Sequence, residues 1–278
     1  MPQVFLDSVD DPRLEPYRQL RTRNLTQFSA KFVVESKLLT QRLVRSSYEV
    51  DSVLIDDVAL ADSVNWLPAD VTAYVIPRSY MSDLLGFNFH RGVLGCGKRK
   101  RRKQATEILA NSELLNQIKP LGQKVYRWTG VYVIGVQDPE NLGLIARTCS
   151  ALGVRDLIIG PECVDPFARR VLRVSMGCMF NLQLSYANDP LQFLEWASSR
   201  GIRSLATSLS DDSKPLEHFV RAPFTLVVMG NEANGVPEAV QAAAADRVRI
   251  DMELGTDSLN VSVATGIVLH YITRLAHR

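Results

Sequence analysis

Two short runs in the second half of the chain, VYVIGVQ (Val131 to Gln137) and TLVVMG (Thr225 to Gly230), are apolar on consecutive residues and partly β-branched. A strand with one wet face alternates apolar and polar residues; one covered by helices on both faces, as in a parallel sheet, does not. Around these runs strand and helix signals alternate: DLIIG, PFARRVLRVSMG, LQLSY, PLQFLEWASSRG, IRSLATS. That confines residues 126–278 to an α/β arrangement with a mostly parallel sheet.

Ligands of such sheets sit beyond the carboxyl ends of the strands. TLVVMG ends there in GNEANGVP, which offers Asn231, Glu232 and Asn234 between Gly230 and Gly235, and Pro237 with Glu238 suits the first turn of a following helix. The same residues also satisfy a plain turn, because Asn and Gly tolerate positive φ. After VYVIGVQ comes DPENLGLIARTCSALGV (Asp138 to Val154), which predicts a helix capped by Asn141 with Leu144, Ile145, Thr148 and Leu152 on its apolar face. Arg147 lies on that helix with no carboxylate three or four residues away, the usual setting of a solvated arginine. A third polar-to-apolar passage, SLNVSVATG (Ser258 to Gly266), opens a helix that carries Val261, Ala264, Ile267, Val268, Tyr271 and Ile272.

These three segments, in this order, resemble the three signature motifs of the SpoU (TrmH-type) RNA methyltransferases of the SPOUT superfamily. Asn141, Gly143 and Arg147 match the first; Gly230, Glu232 and Gly235 the second; Met252, Gly255 and Ser258-Leu259-Asn260-Val261-Ser262 the third. The resemblance implies a trefoil knot near the carboxyl end that holds S-adenosylmethionine, a homodimer whose sites borrow from both subunits, and methylation of an RNA ribose 2′-oxygen. It assigns catalysis to Arg147 with Asn141, Glu232, Ser258 and Asn260. Cofactor contacts are expected from Leu205, Ala206, Thr207, Gly230, Asn231, Glu232, Ile250, Met252, Ser258, Leu259 and Asn260, with no metal. Arginine is too basic to accept a proton near neutrality, so Arg147 is expected to orient a phosphate and polarise the 2′-hydroxyl. Ile250-Asp251-Met252 departs from the Ile-Pro-Met of many relatives, leaving that loop without a proline's restraint.

The first third alternates elements at short spacing: AKFVVESKLLTQRLVRS, SVLIDD, TAYVIP, SYMSDLLG. It resembles the ribosomal-protein-like RNA-binding domain that precedes the catalytic part in many family members. Phe32-Val33-Val34-Glu35 and His90-Arg91-Gly92-Val93 fit, whereas Ser36 stands where relatives usually have Gly. A further helix is expected over Leu14 to Leu25, with Arg18, Arg21 and Arg23. The expected division is an RNA-binding domain over 1–105, a linker over 106–125 and the methyltransferase domain over 126–278. The net formal charge is only +2, yet KRKRRK places Lys98, Arg99, Lys100, Arg101, Arg102 and Lys103 side by side. Such a run favours solvent and suits RNA phosphates, although it also fits a merely solvated linker or a nuclear-localisation signal. PFARRVLRVSMG resembles a family segment on the RNA side of the site, which adds Arg173 and Ser175 to the expected RNA contacts; a helix with a basic outer face is the plainer reading.

Other classes fit less well. No strand leads into GxGxxG, which argues against a dinucleotide enzyme. Cys96, Cys149, Cys163 and Cys178 form no CxxC pair and read as reduced core thiols, and the four histidines lack metal-ligand spacing. With no apolar run of membrane length and no signal peptide, a cytoplasmic protein is expected. The expectation is a 2′-O-methyltransferase of structured RNA, rRNA before tRNA because of the separate amino-terminal domain. A tRNA enzyme and a non-catalytic RNA-binding relative are the alternatives, and the intact Asn141, Arg147, Glu232, Ser258 and Asn260 count against the latter.

Overall fold

The computed structural model describes residues 2–20, 30–63, 65–112, 127–210, 212–231 and 233–276. Its strands are β1 (Gln3–Phe5), β2 (Lys31–Glu35), β3 (Val50–Asp56), β4 (Ala73–Ile76), β5 (Val93–Lys98), β6 (Trp128–Val133), β7 (Asp156–Ile159), β8 (Gln183–Tyr186), β9 (Arg203–Thr207), β10 (Lys214–Pro215), β11 (Phe224–Met229) and β12 (Asp246–Arg249). Its α-helices are α1 (Lys37–Val44), α2 (Leu60–Ser63), α3 (Arg78–Leu85), α4 (Ala105–Ala110), α5 (Pro139–Leu152), α6 (Arg169–Val174), α7 (Pro190–Ser199), α8 (Glu238–Ala243) and α9 (Val261–His270). The chain divides into two compact units, residues 1–101 with 165–181, and residues 102–164 with 182–278.

The first unit has a five-stranded sheet in the order β1-β4-β3-β5-β2. Its β1-β4-β3 portion is parallel, and β5 is antiparallel to both β3 and β2. The elements read at Ala30 to Ser46, SVLIDD, TAYVIP and SYMSDLLG appear as β2 with α1, β3, β4 and α3. Ser36 caps α1 at φ 108, a backbone conformation that glycine adopts without penalty, which gives a physical reason for the glycine expected there. The helix expected over Leu14 to Leu25 is instead a short 3-10 turn, Pro12–Tyr17, capped by Asp11. Pro16 lacks the N–H that a longer helix would need there. The remainder of that expectation, residues 21–25, lies outside the described residues.

Segment 165–181, expected in the second domain, packs in the first unit. Phe167 and Phe180 join Phe32 and Tyr48 in a cluster of rings 4.8–5.8 Å apart. The buried Glu35 carboxylate accepts a hydrogen bond from Arg169 on α6. Burying four aromatic rings outweighs proximity in sequence as the determinant of where this segment settles.

The second unit has a seven-stranded sheet in the order β10-β12-β9-β11-β6-β7-β8, parallel throughout. Tyr132, Leu226 and Val228 belong to a core with Phe193, Leu194 and Ala197 of α7 and Val240 of α8. Successive strand residues face opposite sides, so Val131, Val227 and Met229 form the other face. The strand predicted at Val131 to Gln137 starts earlier, at Trp128, because β6 pairs residue for residue with β11 from Phe224 onward. It ends at Val133, and Gly135 turns the chain at φ 68. The cap of α5 is Asp138, whose carboxylate accepts the Glu140 amide at 2.8 Å; the expected cap, Asn141, is buried inside the first turn. The buried stripe of α5 runs through Leu142, Ile145, Ala146 and Cys149, and Leu144, expected in it, is 39% exposed. Helix α9 packs against α5. Among the described residues no helix is long and apolar enough to cross a membrane.

Candidate active site

Parallel strands open their carboxyl ends on one side, and the loops after β9, β11 and β12 there enclose a cavity of about 620 Å³. A volume of this size suits a nucleoside-sized ligand. It is lined by Thr207 to Ser210, by Gly230, Asn231 and Ala233 to Gly235, by Ile250, Met252 and Asp257 to Leu259, and by Val261 and Ala264 of α9.

The loop after β11 closes on itself. Asn231 and Gly235 exchange backbone hydrogen bonds of 3.0 and 2.9 Å, and the Asn231 side-chain oxygen accepts the amides of Ala233 and Asn234. Its Nδ2 donates to the Gly135 carbonyl at 2.7 Å, tying this loop to the turn after β6. A Cβ on Gly230 would stand 2.0–2.1 Å from Gly235 and Val236 backbone atoms, so no other residue fits without displacing the loop. Asn231 thus borders the cavity, but its amide is engaged within the loop. Glu232, the expected carboxylate of this loop, lies outside the described residues.

Asn260 caps α9. Its Oδ1 accepts both the backbone N–H of Ser262, at 2.8 Å, and the Ser262 hydroxyl, at 2.6 Å. Its Nδ2 donates to Oδ1 of Asn141 at 2.8 Å. Asn141 and Ser262 are buried while Asn260 itself is exposed, and this part-buried bond joins the first turn of α5 to the start of α9. Inside α5, Cys149 is pushed up to about 12 by burial and is a neutral core thiol, as its sequence setting suggests.

Of the residues expected around a cofactor, Thr207, Gly230, Asn231, Ile250, Met252, Ser258 and Leu259 line the cavity. Leu205 and Ala206 do not: both are fully buried within β9, and the wall begins one residue later, where the strand ends. Asn260 reaches Asn141 rather than the wall. Arg147 is exposed on α5, six residues and about 9 Å along the helix from Asn141. Asp251 stands where a proline is common in relatives, and its carboxylate accepts Arg249 Nε at 2.7 Å, a side-chain tie at that point of the loop. Sequence reasoning missed Ser208, Ser210, Gln241, Arg247 and Asp257 on the wall. The polar run after LATS marks the two serines; nothing in sequence marks Arg247, which reaches the wall from inside β12.

Two expectations for RNA contacts need correction. Ser175 is fully buried and its hydroxyl donates to the Leu172 carbonyl, so it is not presented to a ligand. Arg173 lies 3.7 Å from the buried Glu35. Nor is the basic run a set of six free cations. Lys98 ends β5 and pairs with Glu49 at 2.6 Å; Arg99 is largely buried, pairs with Asp165 and lies over the Phe167 ring; Lys100 donates to Ser47 and lies over Tyr48. Arg102 lies over the Tyr186 ring. Arg101 and Lys103 are exposed and have no side-chain partner among the described residues.

A parallel sheet whose strand-end loops and one helix start enclose a nucleoside-sized cavity defines a class of α/β ligand-binding enzyme. Residues 129–270 match the model of the SpoU rRNA Methylase family, and the chain belongs to that family. An uncharacterized tRNA/rRNA methyltransferase of Mycobacterium bovis is 30% identical over 277 residues, 96% of this chain and 91% of that one. A 23S rRNA (guanosine(2553)-2′-O)-methyltransferase of Bacillus subtilis is 21% identical over 96% of this chain and 98% of its own. Among solved structures, the AdoMet-bound rRNA methyltransferase from Sinorhizobium meliloti superposes with a TM-score of 0.78, covering 98% of both chains at 24% identity.

Proposed function

We propose that the protein is an S-adenosylmethionine-dependent RNA 2′-O-ribose methyltransferase acting on rRNA. The observation that carries this reading is the hydrogen bond between Asn260 and Asn141, which joins the first and third sequence motifs beside a cavity lined by the second and third. The cofactor fits the residues present. The cavity has the volume for it, Gly230 and Gly235 leave backbone rather than side chain along one wall, and Met252, Leu259 and Val261 offer apolar surface. When bound, S-adenosylmethionine supplies a methyl group on a positively charged sulfur, the electrophile of the reaction.

The chain's own residues bind and orient. The self-closed loop at Gly230 and Gly235 and the segment Ser258 to Leu259 shape the walls against which the ligand would sit, and the Asn141–Asn260 pair fixes the start of α5 against the start of α9. Arg147, exposed and with no partner among the described residues, is available for an RNA phosphate and for the negative charge that grows on the 2′-oxygen as its proton leaves. Leu144, beside Arg147 on α5, and Val263 and Ile267 on α9 are large exposed apolar side chains. They support a homodimer formed on these helices, in which Arg147 stands at the subunit boundary. The family resemblance supports a trefoil knot, and the reduced-thiol setting of the cysteines supports a cytoplasmic location. The match to a 23S rRNA enzyme along almost the whole chain supports rRNA over tRNA.

Titration calorimetry with S-adenosylhomocysteine in the presence of a chelator tests the site. Stoichiometric binding without metal is expected; absence of binding at millimolar ligand overturns the assignment.

A further inference from the structure

The Asn260 amide can be placed two ways round, and only one of them lets nitrogen face Asn141. Ser262 decides which. Its backbone N–H, at 2.8 Å, can only donate, so that side must hold the Asn260 oxygen, and its hydroxyl donates to the same oxygen at 2.6 Å. Nδ2 is left pointing at Asn141 Oδ1, 2.8 Å away. The backbone donor alone is the ordinary cap of a helix. The hydroxyl is the addition, supplied by a buried residue to the exposed Asn260 side chain.

We infer that Ser262 is a positioning residue for methyl transfer: it locks the Asn260 amide so that the Asn260–Asn141 bond holds the first turn of α5 in register with the cavity. The inference rests on the methyltransferase reading for its kinetic consequence, but not for its geometric one. Ser262 is not among the residues that line the cavity, and its effect passes through Asn260.

The test has two arms. In the kinetic arm, single-turnover rates are measured for wild type, Ser262→Ala, Asn260→Ala and the double variant, with S-adenosylhomocysteine affinity measured alongside. Ser262→Ala is expected to lower the transfer rate roughly tenfold, the scale of one orienting hydrogen bond, while cofactor affinity stays within about twofold. In the Asn260→Ala background the same substitution should cost nothing further, and Ser262→Thr, which keeps the hydroxyl, should recover most of the rate. Additive losses, or a loss confined to cofactor affinity, overturn the inference. In the second arm, side-chain amide resonances of Asn260 and Asn141 are assigned by their disappearance in the corresponding Asp variants. Ser262→Ala should broaden or shift the Asn260 pair while backbone resonances of α9 hold; an unchanged pair overturns the inference. This arm gives its answer even if the wild-type protein methylates no RNA, in which case the functional reading fails separately.

Discussion

Gly230 shows how little room the site leaves. Its would-be Cβ meets three backbone atoms, which no rotamer change can move. Gly230→Ala should therefore destabilise by at least the ~1–3 kcal/mol usual for an overpacked position, and abolish S-adenosylhomocysteine binding. Chemical denaturation and calorimetry read the two effects, and a variant that binds normally would show that the loop relaxes freely. Ser36 has the opposite problem, holding φ at 108 with only a 3.4 Å cap bond to Leu39 in return. Ser36→Gly is expected to raise stability by about 1 kcal/mol, the low end of the strain released at such a backbone, less the weak cap. A lower denaturation midpoint would mean that the cap dominates. Arg147→Ala should lower methyl transfer by about 10²–10³-fold, as removal of a charge-stabilising donor does, and leave cofactor affinity unchanged because Arg147 is off the cavity wall.

At the scale of elements, burial on both faces made β11 readable almost to the residue, since consecutive apolar residues have no competing explanation there. β6 was harder. Its first residues, Trp128 to Gly130, are claimed by pairing with β11 rather than by pattern, and the run beyond Val133 is a buried turn that looks like strand in sequence. On α5 the buried stripe runs through Leu142, Ile145, Ala146 and Cys149, and only Ile145 of the expected face is fully buried. Asp138 caps the helix, which leaves the Asn141 side chain for Asn260, a tertiary bond that no local rule contains. The cavity's motif glycines and the SLN segment were legible because backbone chemistry demands those residue types; Arg247 and the Ser262 lock depend on side-chain directions that only the fold supplies. Between β6 and β7, burial raises the pKa of Asp156, with the Trp128 indole N–H, 2.7 Å away, working against it. A carboxyl with a higher pKa in the fold favours folding below its ordinary value of 3.8 and loses that contribution as pH rises through the raised value. Asp156→Asn keeps an acceptor for Trp128 and removes the charge. Its stability relative to wild type should therefore rise from pH 3 to 7, measured by urea midpoints; a flat difference would contradict the burial argument.

For the molecule as a whole, the first unit is held by its own sheet and by an aromatic cluster drawn from two distant parts of the chain. The packing of segment 165–181 there was illegible because its apolar residues fit either domain equally well by pattern. RNA capture depends on charge that is actually free. Four of the six cations in the basic run are paired or lie over aromatic rings, which leaves Arg101 and Lys103 as the exposed pair. Replacing both with Ser should flatten the dependence of log affinity on log salt by about 1.4, at about 0.7 per single-strand phosphate contact, with discrimination among RNAs retained. A further flattening toward about 4 when all six are replaced would mean that the paired cations release their partners on binding, and no change in the double variant would make the run a connector alone.

The account stands or falls on transfer of a methyl group to an RNA ribose. Mapping 2′-O-methylation across total RNA from cells with and without the gene tests it most directly. The account predicts that a discrete rRNA position loses its 2′-O-methyl group in the deletion and regains it with the wild-type gene but not with Arg147→Ala. Identical maps in both strains, together with no transfer by the purified protein to unmodified rRNA, would contradict it.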